Sequence, residues 1–152
     1  MKNFLAHYPI SSHLLVIIQM TGIAFCCYPV GLLNAGKIYW LIFCVFGAIL
    51  GIHTLCYNKI GNFSVYPEIK HQATLITTGP YRYIRHPMYT SLIAMMLGIT
   101  LYNFHWVNAV GLVMVMSSVI KKANKEEKLL LMRFVEYLNY QRKSYRFLPY
   151  IY

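Results

Sequence analysis

Twelve residues, Thr78-Gly-Pro-Tyr-Arg-Tyr-Ile-Arg-His-Pro-Met-Tyr89, gather two arginines, a histidine and three tyrosines around two prolines. Pro80 and Pro87 each fix φ near about −65° and bias the preceding residues, Gly79 and His86, toward extended backbone, so the path of this segment is largely set locally. Guanidinium and imidazole groups suit anions, and aromatic faces suit cations. Further along stands Glu126-Glu127, two of only four acidic residues in the chain. A carboxylate brought to this segment could hold the cationic part of a ligand whose other end rests on the loop. Plainer readings exist for each residue. Glu126 could form i,i+4 surface pairs with Lys122 and its neighbours, each worth a few tenths of a kcal/mol. His86 could be a hydrogen-bonding loop residue, Arg82 and Arg85 charge anchors, and Tyr81, Tyr83 and Tyr89 an interfacial aromatic belt. All of these would have to hold at once within one short stretch.

The elements that position these groups belong to a membrane protein. The 152 residues suit one domain, 1–152, and 58% hydrophobic with 12% charged residues departs from the soluble average. Leu14–Leu33 and Ile38–Tyr57 are uncharged runs long enough to cross a hydrocarbon core of about 30 Å. Neither resembles a cleaved signal. Tyr89–Ile120 is too long for one span. If it reverses within Asn103–Asn108, the fold is an all-α integral membrane protein with four transmembrane helices (14–33, 38–57, 89–104 and 107–122) arranged as two hairpins. Both termini and the 58–88 loop then share one side, which collects 13 of the 14 Lys+Arg residues and leaves Lys37 opposite. The positive-inside rule makes that side cytoplasmic. The first hairpin turns at Asn34–Lys37, the last span runs on through Lys121 and Lys122, and Gly47-x-x-x-Gly51 allows close helix approach.

A net charge of +10 is explained by a basic cytoplasmic face near anionic lipid, which argues against nucleic-acid binding. Cys26, Cys27, Cys44 and Cys56 fall within the expected spans without a Cys-x-x-Cys pair. His7, His13, His53, His71 and His105 have no ligand-like spacing and read as structural or interfacial, so no metal site is expected. The 58–88 loop, with Pro67, Glu68, Pro80 and Pro87, should be ordered but poor in regular structure, and a loop of that length is usually functional. Glu126–Tyr140 should form an amphipathic C-terminal helix, with Leu130, Phe134, Tyr137 and Leu138 on one stripe.

Gly79–Tyr89, followed by Glu126-Glu127-Lys-Leu-Leu, Arg133-Phe134, Glu136-Tyr137, Tyr140 and Arg146-Phe-Leu-Pro149, resembles the isoprenylcysteine carboxyl methyltransferase family and its wider group of phospholipid methyltransferases. The resemblance covers about 73–149. It implies an integral-membrane enzyme that takes S-adenosylmethionine, releases S-adenosylhomocysteine, and builds its site from 73–89 and 122–149. It assigns cofactor binding to Ala73, Thr74, Leu75, Ile76, Tyr81, His86, Pro87, Met88, Tyr89, Glu126 and Glu127. Lys122 stands where the family often has an arginine that contacts the methyl acceptor, and lysine keeps the charge without the planar fork. The catalytic candidates are therefore Lys122 and His86, the latter with Glu127 as a proton acceptor if an amine or thiol is methylated. The partners implied are the bilayer and a lipophilic acceptor, whether isoprenylcysteine-like or phospholipid-like. Two alternatives remain at this point: a sterol-reductase-like enzyme using NADPH, and a non-enzymatic membrane hairpin protein.

Overall fold

The computed structural model describes residues 10–28, 37–58, 66 and 73–149. Their elements are helical: α1 (Ile10–Cys26), a 3-10 turn (Ile38–Leu41) leading into α2 (Ile42–Tyr57), a second 3-10 turn (Gly79–Arg82), α3 (Pro87–Asn103), α4 (Trp106–Arg133) and α5 (Tyr137–Lys143). Among the described residues there is no strand, and Ile84 pairs with Tyr145 in an isolated parallel bridge. Ile38–Tyr57 and Trp106–Arg133 are long and apolar enough to cross a membrane, while α1 is apolar but shorter. The end of the first expected span at Leu33, the turn residues Asn34, Ala35 and Gly36, and His7, Pro67, Glu68 and His71 lie outside the described residues.

Local chemistry sets the helix ends. Pro87 opens α3 where a missing N–H leaves no bond unmade. α3 closes at Phe104, whose φ of 49° is left-handed. His105 then starts α4: its Nδ1 accepts from the Val107 N–H, and Asn108 Oδ1 accepts from the His105 N–H. The reversal expected within 103–108 is present, and its two polar residues make it by capping both sides of the start. Gly79 departs from the extended geometry expected before Pro80. Its φ is +60°, and a Cβ there would stand 2.5 Å from the Tyr57 ring, so both the conformation and the close approach require glycine.

Packing partners differ from the expected hairpins. α1 packs along α4 and α2 along α3, with α3 touching α4, whereas α1 and α2 make no extensive contact with each other. Small residues choose these partners. A Cβ at Gly111 would stand 2.6 Å from the Gly22 carbonyl oxygen, and one at Gly47 would stand 2.7 Å from that of Ser91. Ser91 Oγ also donates to the Gly47 carbonyl at 2.6 Å. The Gly47/Gly51 pair thus lets α3 approach α2 closely. Between the pairs, Cys26, Met96, Val115, Val119 and Ala123 form the buried core with Phe147 of the C-terminal segment.

Two boundaries need correction. α1 begins at Ile10 and has ended by Cys26, leaving Cys27 in a turn. The single amphipathic helix expected over Glu126–Tyr140 is two helices: α4 continues unbroken to Arg133, and extended backbone at Phe134 (φ −117°, ψ 110°) separates it from α5. The break redirects the chain so that Tyr137 is 1% exposed and Tyr140 donates to the Tyr81 carbonyl at 2.6 Å. Leu138, expected on the same inward stripe, is 49% exposed.

Candidate functional site

A cavity of about 450 Å³ lies where the C-terminal turns of α4 meet the segment before α3. Its size is that of a small-molecule site. Of the residues expected there, Ala73, Thr74, Leu75, Ile76, Tyr81, His86, Pro87, Met88, Tyr89, Lys122 and Glu126 all line it. Glu127 does not. Successive helical residues point about 100° apart, so Glu126 faces the cavity while Glu127 turns to the C-terminal segment. There it accepts from Arg85 Nε at 2.9 Å, faces His86 Nε2 at 3.1 Å and lies 3.6 Å from Arg146 Nε. Gln141 adds a donor at 3.5 Å.

His86 is wedged between the two glutamates, with Nδ1 3.4 Å from Glu126 and Nε2 3.1 Å from Glu127. Burial of the ring disfavours its charged form, but the hydrogen bonds and charges of the two carboxylates outweigh this and raise its pKa above 6.5. Burial likewise works against the ionised Glu127, yet the His86 and Arg85 bonds and charges hold it at about 2. When protonated, the ring places a donor nitrogen toward each carboxylate. Glu126 also accepts from the Tyr89 hydroxyl, and the Tyr89 ring stacks on His86 at 5.6 Å between centroids. Tyr81, half-buried on the same wall, is pushed up to about 12, first by burial and then by Glu126. At neutral pH Tyr81 is therefore neutral on this wall.

The C-terminal segment holds the loop in place. Arg85 N–H donates to the Tyr145 carbonyl at 2.8 Å, His86 N–H to that of Arg146 at 3.1 Å, and Tyr145 N–H to that of Tyr83 at 2.9 Å. Thr90 Oγ1 donates to the Phe147 carbonyl at 2.8 Å. Arg85, read from sequence chiefly as a charge anchor, bonds Glu127 and the carbonyls of Gln141 and Ser144. It ties the loop to α4 and α5.

Sequence reasoning missed three cavity residues in particular. Phe134 and Tyr137 were read from sequence as parts of an apolar stripe and of the family-like motif, without a site role of their own, and both line the cavity. The Tyr137 hydroxyl is sealed from solvent and has no hydrogen-bond partner among the described residues. Gln19, from α1, also lines the cavity and accepts from the Lys122 ammonium. The sole sequence signal was a lone amide in an apolar run.

Fold and cavity together define an apolar helical bundle carrying a charged, aromatic-walled small-molecule site at one end. A family model described as phospholipid methyltransferase matches residues 37–136, 100 of the 152 residues, and the chain belongs to that family. The resemblance drawn from Gly79–Tyr89 and the Glu126-Glu127 helix is thereby confirmed. Membership places the protein among methyltransferases of lipid-like substrates. No curated protein matches the chain.

Proposed function

We propose that the protein is a membrane methyltransferase that takes S-adenosylmethionine and methylates a lipophilic acceptor at the cytoplasmic interface. The observation that carries this reading is Glu126: an acidic side chain fixed by Tyr89 and His86 on the wall of a cavity otherwise rich in aromatic and apolar groups. The donor set fits the ligand. Glu126 suits an ammonium, the rings of Tyr81, Tyr89 and Phe134 suit an adenine face and a sulfonium, and the unpartnered Tyr137 hydroxyl suits an acceptor atom. Ala73–Ile76 lie on the same wall outside any helix or strand.

Glu126, Tyr81, Tyr89 and Phe134 would hold S-adenosylmethionine, which would supply an electrophilic methyl group for the acceptor's lone pair, with the sulfonium sulfur as leaving group. The chain's own residues bind, align and exclude water. Tyr140, bonded to the Tyr81 carbonyl, and Tyr137 close the cavity's outer side. Glu127 acts through others: it holds His86, Arg85 and Arg146, and through His86 the orientation of Glu126.

This reading includes four membrane spans. α1 and α3 each have 17 residues, about 26 Å of helix at 1.5 Å per residue, close to the hydrocarbon thickness. α4 crosses with 107–122 and projects its charged remainder into the cytoplasm. The cavity then opens where a lipid headgroup lies.

Calorimetric titration of detergent-purified protein tests the assignment. S-adenosylhomocysteine should bind and reduced nicotinamide should not, and Glu126→Ala should weaken binding by about tenfold to a hundredfold, as loss of a charge-assisted bond implies. Unchanged affinity in Glu126→Ala would sink the proposal, and binding of the nicotinamide alone would favour a reductase.

A further inference from the structure

Two hydrogen-bond donors on the cavity wall have no partner among the described residues. Arg85 lines the cavity, and its side chain is 11% exposed. Its Nε donates to Glu127 and its Nη1 to the carbonyls of Gln141 and Ser144, which leaves Nη2 over. A guanidinium accepts nothing, so the N–H bonds of Nη2 call for an acceptor. The second donor is the Tyr137 hydroxyl, sealed and unpartnered on a ring that lines the same cavity. Burial first, and then the charge of Glu127, raises its pKa above the usual 10, so it keeps its proton.

The fold explains neither. Arg85 already ties the loop to α4 and α5 through its other two nitrogens. Tyr137 is seated by its ring, which meets that of Tyr140 edge-on at 5.8 Å between centroids. A phenylalanine would fill the same space, and a buried hydroxyl without a partner lowers stability. The bland reading, a buried water bridging Tyr137 to its neighbours, accounts for the hydroxyl but not for Arg85 Nη2. Charge balance adds a second argument. Arg85, Arg146 and protonated His86 bring three positive charges to the two carboxylates of Glu126 and Glu127. An ammonium bound at Glu126 would widen that excess unless the same ligand also brings an anion.

We propose that Arg85 Nη2 and the Tyr137 hydroxyl receive the carboxylate of the methyl donor's amino-acid end, while Glu126 receives its ammonium. This rests on the methyltransferase reading above and assigns one end of its donor pocket. The ligand class so selected is a nucleoside joined to an α-amino acid, recognised as a zwitterion. A phosphate-bearing nicotinamide cofactor brings anions without an ammonium and would set negative charge against Glu126. Tyr137 keeps its hydroxyl unsatisfied until the ligand arrives, at some expense of stability.

Calorimetry in neutral detergent tests this with three ligands: S-adenosylhomocysteine, its analogue with hydrogen in place of the carboxylate, and adenosine, which lacks the amino-acid end. Wild type should bind S-adenosylhomocysteine at least about tenfold more tightly than the decarboxylated analogue. Arg85→Lys and Tyr137→Phe should each shrink that ratio, Tyr137→Phe by about threefold to tenfold, and leave adenosine within about twofold. A merely structural loss would weaken all three ligands alike. Ligand-free Tyr137→Phe should melt no lower than wild type, because no bond within the described residues goes with the hydroxyl. S-adenosylhomocysteine should then raise its melting temperature less than it raises that of wild type. A ratio unchanged in both variants, or one erased by Lys122→Gln and not by Arg85→Lys, overturns the proposal. Should Arg85→Lys fail to fold, Tyr137→Phe decides. If wild type binds none of the three ligands, the methyltransferase reading itself falls. If it binds S-adenosylhomocysteine and the decarboxylated analogue equally, that reading stands and only the carboxylate assignment is lost.

Discussion

At the scale of single residues, the site is a chain of charges in which each member orients the next. Arg85 and Arg146 hold Glu127, Glu127 holds His86, and His86 with Tyr89 holds Glu126. This order sets the pH response. His86, raised above 6.5, contributes its full stabilisation below that pH and loses it as pH climbs through the raised value. Glu127, lowered from 4.5 to about 2, contributes fully above 4.5 and loses it as pH falls toward 2. The cluster should therefore stabilise the fold most between those two ordinary values, 4.5 and 6.5. Melting temperatures in detergent over about pH 3 to 9 check this. Glu127→Gln should flatten the acid side and His86→Gln the alkaline side. Slopes unchanged in both variants would assign the titration elsewhere. His86→Ala should also weaken S-adenosylhomocysteine binding by about tenfold, because the removed ring orients Glu126, whereas His71→Ala, outside the described residues, serves as the loop control. Equal losses in the two variants would reduce His86 to a structural loop residue.

At the scale of elements, glycine position decides which helices meet. A Cβ at Gly111 would stand 2.6 Å from the Gly22 carbonyl oxygen and 2.7 Å from Cys26 N, both backbone atoms, while one at Gly51 meets only the Ser91 side chain. Gly111→Ala should therefore cost about 1–3 kcal/mol and Gly51→Ala less than about 1 kcal/mol, since a hydroxyl can rotate and a helix backbone cannot. Denaturation in detergent compares them, and equal costs would mean that α1 and α4 are less closely seated than described. The elements also show what the sequence could and could not convey. The reversal at Asn103–Asn108 was legible because the uncharged run is too long for one span and a turn there gathers the basic residues on one side; the caps His105 and Asn108 that make it were not read from sequence. The break at Phe134 was not legible, because Leu130, Phe134 and Tyr137 keep helical spacing straight through it. What opposes the helix there is a long-range bond, Tyr140 to the Tyr81 carbonyl. Gln19 was illegible for the same reason: its partner Lys122 is 103 residues away.

At the scale of the whole molecule, the family match and the cavity do not coincide. Residues 37–136 supply most of the cavity wall, but α1 precedes the match and α5 follows it. Sequence located the 73–89 wall because its residues are contiguous, and missed Gln19 because α1 joins the cavity only through packing. The orientation of the spans is testable directly. Phe104 is 85% and Val135 97% exposed, at opposite ends of α4. In the four-span arrangement an impermeant maleimide should label Val135→Cys only from the cytoplasmic side and Phe104→Cys only from the other. Labelling of both from one side would rule that arrangement out.

Asn108 carries a consequence for how the chain is made. Its amide converges on the carbonyls of Phe25, Cys26 and Tyr28, and Asn103 Nδ2 reaches Cys26 as well, at 3.1 Å. These carbonyls end α1, so the polar atoms that finish the first helix arrive about eighty residues of synthesis after it. Until α4 emerges, α1 has to wait with its last carbonyls at the water-facing boundary or beside an insertion partner. Birth order in this chain is thus opposed to closure order: the first helix made is sealed by the start of the last long one.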